Sequence, residues 1–218
     1  MLFGLIGNGF DIWQNIIIIA AFALAIMFAL VVHEFAHAWT ALKQGDPSAK
    51  LAGRLSLNPA RHVEPLGLLC FCLAGIGWAK PVPVNPFNYR IFKRGNFWVS
   101  ISGVITNFIM AFIFSFGYFM LLQYADLDNL FLFGLFFFFM LAMVINISLM
   151  IFNLLPIPPL DGYNMLVSFT KPNNGFMRFM RENSMIVLIL VIVFLLPVIG
   201  GVRNFILSAF ESFWGLFL

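Results

Sequence analysis

Residues 15–32 read NIIIIAAFALAIMFALVV, without a single charge. A segment of that length and character belongs in the hydrocarbon core of a bilayer. There it must be helical, because no water is present to satisfy its backbone. The run ends directly in His33-Glu34-Phe35-Ala36-His37. Two imidazoles and a carboxylic acid at the end of a membrane helix are costly, so they need a partner or a task.

The rest of the chain repeats the constraint. Of 218 residues, 62% are hydrophobic and 10% are charged, which excludes an ordinary soluble domain. Runs long enough to span lie at about 15–42, 97–122, 130–155 and 185–202. The run 66–78 has only 13 residues and is expected to be re-entrant or interfacial. The expected fold class is an all-α polytopic membrane protein with about four full transmembrane helices. One short re-entrant or interfacial segment and a small strand-like cytoplasmic loop complete it. A single integral-membrane domain over 1–218 is expected, with a core at about 15–170 and a C-terminal helix at about 185–218. No cleavable signal is evident, since the first apolar run carries the histidines themselves. Cys70 and Cys72 sit in apolar sequence and read as small hydrophobes.

Basic residues set the expected orientation. Eight of the 12 Lys and Arg lie between Lys43 and Arg94, and three more are Lys171, Arg178 and Arg181. The loop 123–129 has none and carries Asp126 and Asp128. The positive-inside rule then places 43–96 and 156–184 in the cytoplasm and the N-terminus outside. The basic balance reports orientation and gives no argument for nucleic acid.

Helical spacing puts His33 and His37 on one face, so both can reach one metal at about 2.0–2.1 Å. Glu34 points elsewhere but stays beside that metal, where a general base for water is needed. A catalytic zinc takes three protein ligands and an open position. The third ligand is expected at the end of the third span, in Asn153-Leu154-Leu155-Pro156-Ile157-Pro158-Pro159-Leu160-Asp161-Gly162. Asp161 is the only acid between Asp128 and Glu182, and the charge count puts it at the same membrane face as His37. The prolines break the helix, and irregular backbone at that depth must be buried or line a wet cavity. Taken by itself, Asp161 reads equally well as a helix N-cap.

These motifs together resemble the site-2 protease family of intramembrane zinc metalloproteases, in its compact bacterial branch without PDZ or CBS domains. The resemblance rests on His33, Glu34 and His37 with Asn153, Pro156, Pro158, Asp161 and Gly162. It extends through Gly45–Lys50, Gly53–Pro59 and Lys80–Pro86, and covers most of residues 30–170. It implies one zinc per chain, held by His33, His37 and Asp161. It further implies Glu34 as catalytic base and Asn153 as a hold on the peptide or the developing oxyanion. The implied activity is hydrolysis of a peptide bond in or near a transmembrane segment of a membrane protein. The chain has Gly103-Val104-Ile105-Thr106-Asn107 where the family carries Gly-Pro-x-x-Asn, which weakens any role for Asn107. In Lys80–Pro86, Val82 and Val84 alternate with prolines and suggest an edge for an unwound peptide; an ordinary proline-rich loop fits the same residues. His62 is expected to bond to backbone in its loop, and Phe136–Phe139 to pack against lipid or core. The competing functions are a membrane metal binder or transporter and an inactive peptide-binding scaffold. Clustered ionisable groups argue against the first, and Glu34 against the second.

Overall fold

Apolar backbone closes its hydrogen bonds locally wherever it has the length to do so, and the computed structural model follows that rule. It describes residues 9–74, 80–170 and 174–218. The long elements are α1 (Ile12–Gln44), α4 (Phe92–Tyr124), α5 (Leu130–Asn153) and α8 (Ser184–Trp214). Short helices join them: α2 (Ser48–Leu51), α3 (Pro65–Ala74), α6 (Asp161–Phe169) and α7 (Gly175–Glu182). The all-helical architecture expected from composition is present, and among the described residues no strand occurs.

The helix ends carry ordinary local signals. Asp11 caps α1 through a reciprocal capping box with Gln14, and Asn129 caps α5 by accepting from Phe131 and Leu132 N–H. With 33 residues α1 is about 50 Å long. That exceeds the hydrocarbon thickness of about 30 Å, so part of the helix extends beyond the apolar layer.

α1, α4 and α5 pack on one another as the core. Ile18, Phe22 and Ile26 of α1 meet Val104, Ala111 and Phe114 of α4 and Phe137, Leu141 and Ile147 of α5. Ala21, Ala25 and Ala29 on α1 are all buried. Small residues let backbones approach closely where apolar burial gives little net drive between helices. Phe137 of the phenylalanine run is buried, and its three neighbours pack partly against the core.

Three expected spans are single helices; α1 and α4 extend beyond their apolar runs at both ends, and α5 stops two residues short of its run. The fourth differs. Residues 185–202 belong to α8, whose halves Ser184–Leu195 and Pro197–Trp214 meet at 59°. Pro197 lies inside the helix, where it lacks an N–H and crowds the preceding turn. The second half docks on α4, where Trp214 Nε1 donates to Ser115 Oγ at 2.7 Å and Phe210 is buried.

The short apolar run forms α3, which is too short to span and touches the core through Leu68. Residues 75–79 of that run lie outside the described residues. Cys70 is a free, half-buried thiol. Residues 80–86, expected to be strand-like, form no paired strand; Lys80 N–H donates to His62 O, Val82 N–H to Glu34 and Asn85 N–H to Asp46.

Candidate metal centre

Three elements converge at one end of the bundle: the last turns of α1, the first turns of α4, and the break between α5 and α6. The break is built by the sequence Leu154–Leu160. Three prolines prevent α5 from continuing, and the chain restarts as α6 at Asp161. Gly162 makes the turn possible, because a Cβ there would run into the carbonyl oxygens of Leu154 and Leu155. α6 is then tied to α4 by Asn96, whose Nδ2 donates to Asn164 O at 2.6 Å and to Ser168 Oγ at 3.0 Å.

This arrangement brings His33, His37 and Asp161 together. The two Nε2 atoms are 3.0 Å apart, and Asp161 Oδ2 lies 3.3 Å from His33 Nε2 and 3.2 Å from His37 Nε2. Both histidines are buried, and the aspartate side chain is only 15% exposed. Ligands held tetrahedrally at about 2.0–2.1 Å from a zinc ion stand about 3.3 Å from one another. The donor triangle therefore has the edge lengths that such an ion needs. Among the described residues no N–H or O–H group outside this trio satisfies Asp161 Oδ2. The donor set, two imidazoles and a carboxylate, suits zinc.

The surroundings orient the imidazoles. His37 Nδ1 lies 2.7 Å from the Val99 carbonyl oxygen of α4. A carbonyl only accepts, so Nδ1 carries the proton and Nε2 keeps its lone pair for the centre. Ser102 Oγ also donates to Val99 O, at 2.7 Å, and lies 3.4 Å from His37 Nδ1. Gly103, next on α4, is pressed against both rings. A Cβ there would stand 2.5 Å from His33 Cε1 and 2.6 Å from His37 Nε2. Burial alone would raise the Asp161 carboxyl. With no metal between them, protonated imidazoles, His37 foremost, would donate to it, outweigh burial and hold the group below the ordinary carboxylate range.

Glu34 takes no part in the triangle. Its Oε2 accepts the Val82 N–H at 3.0 Å, so the loop after residue 80 is fastened beside the centre. Asp46 fastens the same loop from the end of α1. Its carboxylate accepts from Ser48 N and Oγ, Asn85 N at 2.6 Å and Asn88 Nδ2 at 2.8 Å. Burial would raise this group too, but the four donors win and lower it. Asn153, at the end of α5, is half-buried and donates its Nδ2 to Leu149 O at 3.0 Å. His62 is fully buried, with Nε2 2.6 Å from Ser56 O, the backbone bond expected of a loop histidine. Asn107 is fully buried in the core, with no partner for its amide among the described residues.

Sequence reasoning missed the parts that act through backbone or close approach. No residue type announces the Val99 carbonyl. Gly103 showed only as part of a family pattern. Asp46 could have been found from its Asp-Pro-Ser setting, where an acid caps the N–H two residues on.

Comparison with known proteins agrees with this geometry. The chain is 40% identical over 153 residues to YwhC of Bacillus subtilis (strain 168), named a candidate zinc metalloprotease, covering 68% of each chain. The sequence profile of Peptidase family M50 matches residues 123–198. The chain belongs to peptidase family M50. Two further relatives are both named Rip2, candidate zinc metalloproteases. That of Mycolicibacterium smegmatis is 30% identical over 154 residues, 67% of this chain and 56% of its own. That of Mycobacterium tuberculosis H37Rv is 29% identical over 181 residues, 80% of this chain and 66% of its own. No solved structure matches the chain. The chain is thus a zinc metalloprotease of the membrane, with several helices built to cross it. The profile covers α5, the break and α6, and so reaches Asp161 without the histidine helix.

Proposed function

We propose that the chain is an intramembrane endopeptidase. It hydrolyses a peptide bond in or near a transmembrane segment of a membrane protein, with one zinc held by His33, His37 and Asp161. The observation that carries this reading is the meeting of those three donors where a membrane helix leaves the apolar layer. An apolar cavity of about 290 Å³, lined by Leu24, Phe28, Val31, Val32 and Phe138 among others, adds room for apolar chain along the helix that carries His33. The whole of 1–218 is read as one catalytic domain, with α8 as its C-terminal helix.

Bound zinc supplies a Lewis acid that polarises the peptide carbonyl and acidifies water. The protein supplies the rest. Glu34 takes a proton from water as its oxygen attacks the carbonyl carbon. It keeps that proton at the oxygen not bonded to Val82, then passes it to the nitrogen as the C–N bond breaks. Asn153 steadies the developing oxyanion or the peptide, once its Nδ2 exchanges Leu149 O for substrate. The loop around residues 80–86 flanks Glu34, to which the Val82 N–H is bonded.

The test is zinc-dependent cleavage of a transmembrane peptide in parent and Glu34→Gln protein. The variant is expected to keep zinc and lose roughly 10²–10⁴ in turnover, because an amide cannot accept the proton. Undiminished cleavage would overturn the mechanism, and absence of cleavage in both proteins would favour a peptide-binding scaffold.

For orientation, we read 43–96 and 156–184 as cytoplasmic, the N-terminus as external and the centre as facing the cytoplasmic side. In protein lacking Cys70 and Cys72, Asp126→Cys should react with an impermeant thiol reagent from outside, and Arg90→Cys should not. The reverse pattern would invert the topology.

A further inference from the structure

Between them α1 and α4 line a second, wider cavity of about 470 Å³. It is lined by Lys43, Arg94, Trp39, Trp98, Thr40, Ser102 and their neighbours. Two features of the lining follow from helix geometry. On α1, Lys43 and Trp39 are four residues apart; on α4, Arg94 and Trp98 are four residues apart. Each pair therefore lies on one face, one turn apart. The helices run in opposite directions here, since the end of α1 meets the start of α4. Both cations thus sit at the water end of the groove and both indoles one turn deeper.

That order matches the layers of a lipid leaflet: charge at the phosphate, indole at the headgroup–acyl boundary, apolar surface below. Lys43 Nζ lies 5.4 Å from the centre of the Trp39 ring, so the cation is drawn over the groove. Among the described residues, neither Lys43 nor Arg94 forms an ion pair, and no acid lines the groove. Thr40, Ser102 and Thr106 place hydroxyls along the wall, and Ile105 continues it into exposed apolar surface. Ala36, a small residue, leaves the floor open.

We infer that this groove is a binding site for the headgroup of an anionic phospholipid, its phosphate between Lys43 and Arg94 and its acyl chains along Ile105. Two cations without an acidic partner line one space and favour an anion there, and the paired indoles mark the depth at which that anion lies. A soluble phosphate would use the cations alone and has no need of the indoles or the apolar wall. The site stands apart from the proteolytic reading, although Ser102 is shared by the groove and the surroundings of His37.

The experiment uses the whole protein in detergent and reads bound lipid by native mass spectrometry. Phosphatidylglycerol and phosphatidylcholine with identical acyl chains are offered in equal amounts. The parent should retain phosphatidylglycerol in excess. Lys43→Gln with Arg94→Gln should weaken that retention about twenty-five-fold, from roughly fivefold for each cation. Lys50→Gln with Lys93→Gln removes the same charge nearby and should leave retention unchanged. If the first pair fails to fold, the single variants and the exchange Lys43→Arg with Arg94→Lys carry the test; the exchange should retain the lipid. Glycerol 3-phosphate in excess should not displace it. Equal retention by parent and the Lys43/Arg94 variant would overturn the site. So would equal losses from both double variants, or displacement by glycerol 3-phosphate. No outcome depends on cleavage, so failure here leaves the protease reading where it stands.

Discussion

Asp46 and Asp161 lie at the same end of the bundle, both shielded from solvent, and their surroundings are opposite. Asp46 is saturated: two backbone N–H groups, a hydroxyl and an amide point at it. Asp161 Oδ2 meets only the two imidazole Nε2 atoms, of which that of His37 presents a lone pair, and among the described residues it has no N–H or O–H partner outside that trio. A saturated acid has finished its work in holding the loop. An acid surrounded by competing lone pairs is stable only with a cation among them. The difference teaches how to separate a fastening from a site when both are buried carboxylates.

The comparison breaks most sharply at Asp161. Asp161→Ala is expected to lose zinc and activity together. The loss of affinity should exceed the 10–100-fold that removal of an outer partner typically costs. Zinc content against turnover measures it, and a variant that keeps both would remove Asp161 from the centre. Gly103→Ala sharpens the same side. Its Cβ must displace one imidazole or shift α4, so about 1–3 kcal/mol of stability should go. Zinc affinity should fall while Asp46 and the loop stay intact. Thermal unfolding and metal titration together read this; unchanged affinity would mean that α4 gives way freely.

Asp46→Asn should have the smallest effect and the opposite character. An amide turns an N–H toward donors that already converge there, costing roughly 1–3 kcal/mol, with zinc retained. The sign of the pH dependence follows from the lowered carboxyl. Its stabilisation is fully present above the ordinary carboxylate value of about 3.9 and is lost as pH falls through the lower folded value. The parent's advantage over the variant should therefore hold at neutral pH and shrink only in strong acid. Proteolytic nicking near residues 80–90 across pH checks it. An advantage that fades near neutrality would exclude Asp46 as the fastening.

Much of this was legible before any coordinates. The charge-free run before His33 dictated a membrane helix. The distribution of lysine and arginine put the ends of α1 and α5 at one face, which is where Asp161 meets His37. What stayed hidden had no side-chain signal. The bend in α8 was not foreseen although Pro197 marked its place, and the docking of the second half on Ser115 and Phe112 is a tertiary contact. The loop at 80–86 looked like an edge because valines alternate with prolines. In the fold its Val82 N–H is already committed to Glu34. Asn107 drew attention as a motif residue, and the structure buries it in the core.

The proton on His37 is fixed by a main-chain oxygen at Val99, and every substitution at that position leaves the oxygen in place. Random mutation therefore cannot delete this contact; it can only move it, by tilting or rotating α4 as a body. Variants that disturb α4 far from the centre, at Ala111 or Ser115 for instance, would be felt through the angle of one imidazole. A defect of that kind would resemble a damaged ligand in every assay of metal content, while His33, His37 and Asp161 all remained in the sequence.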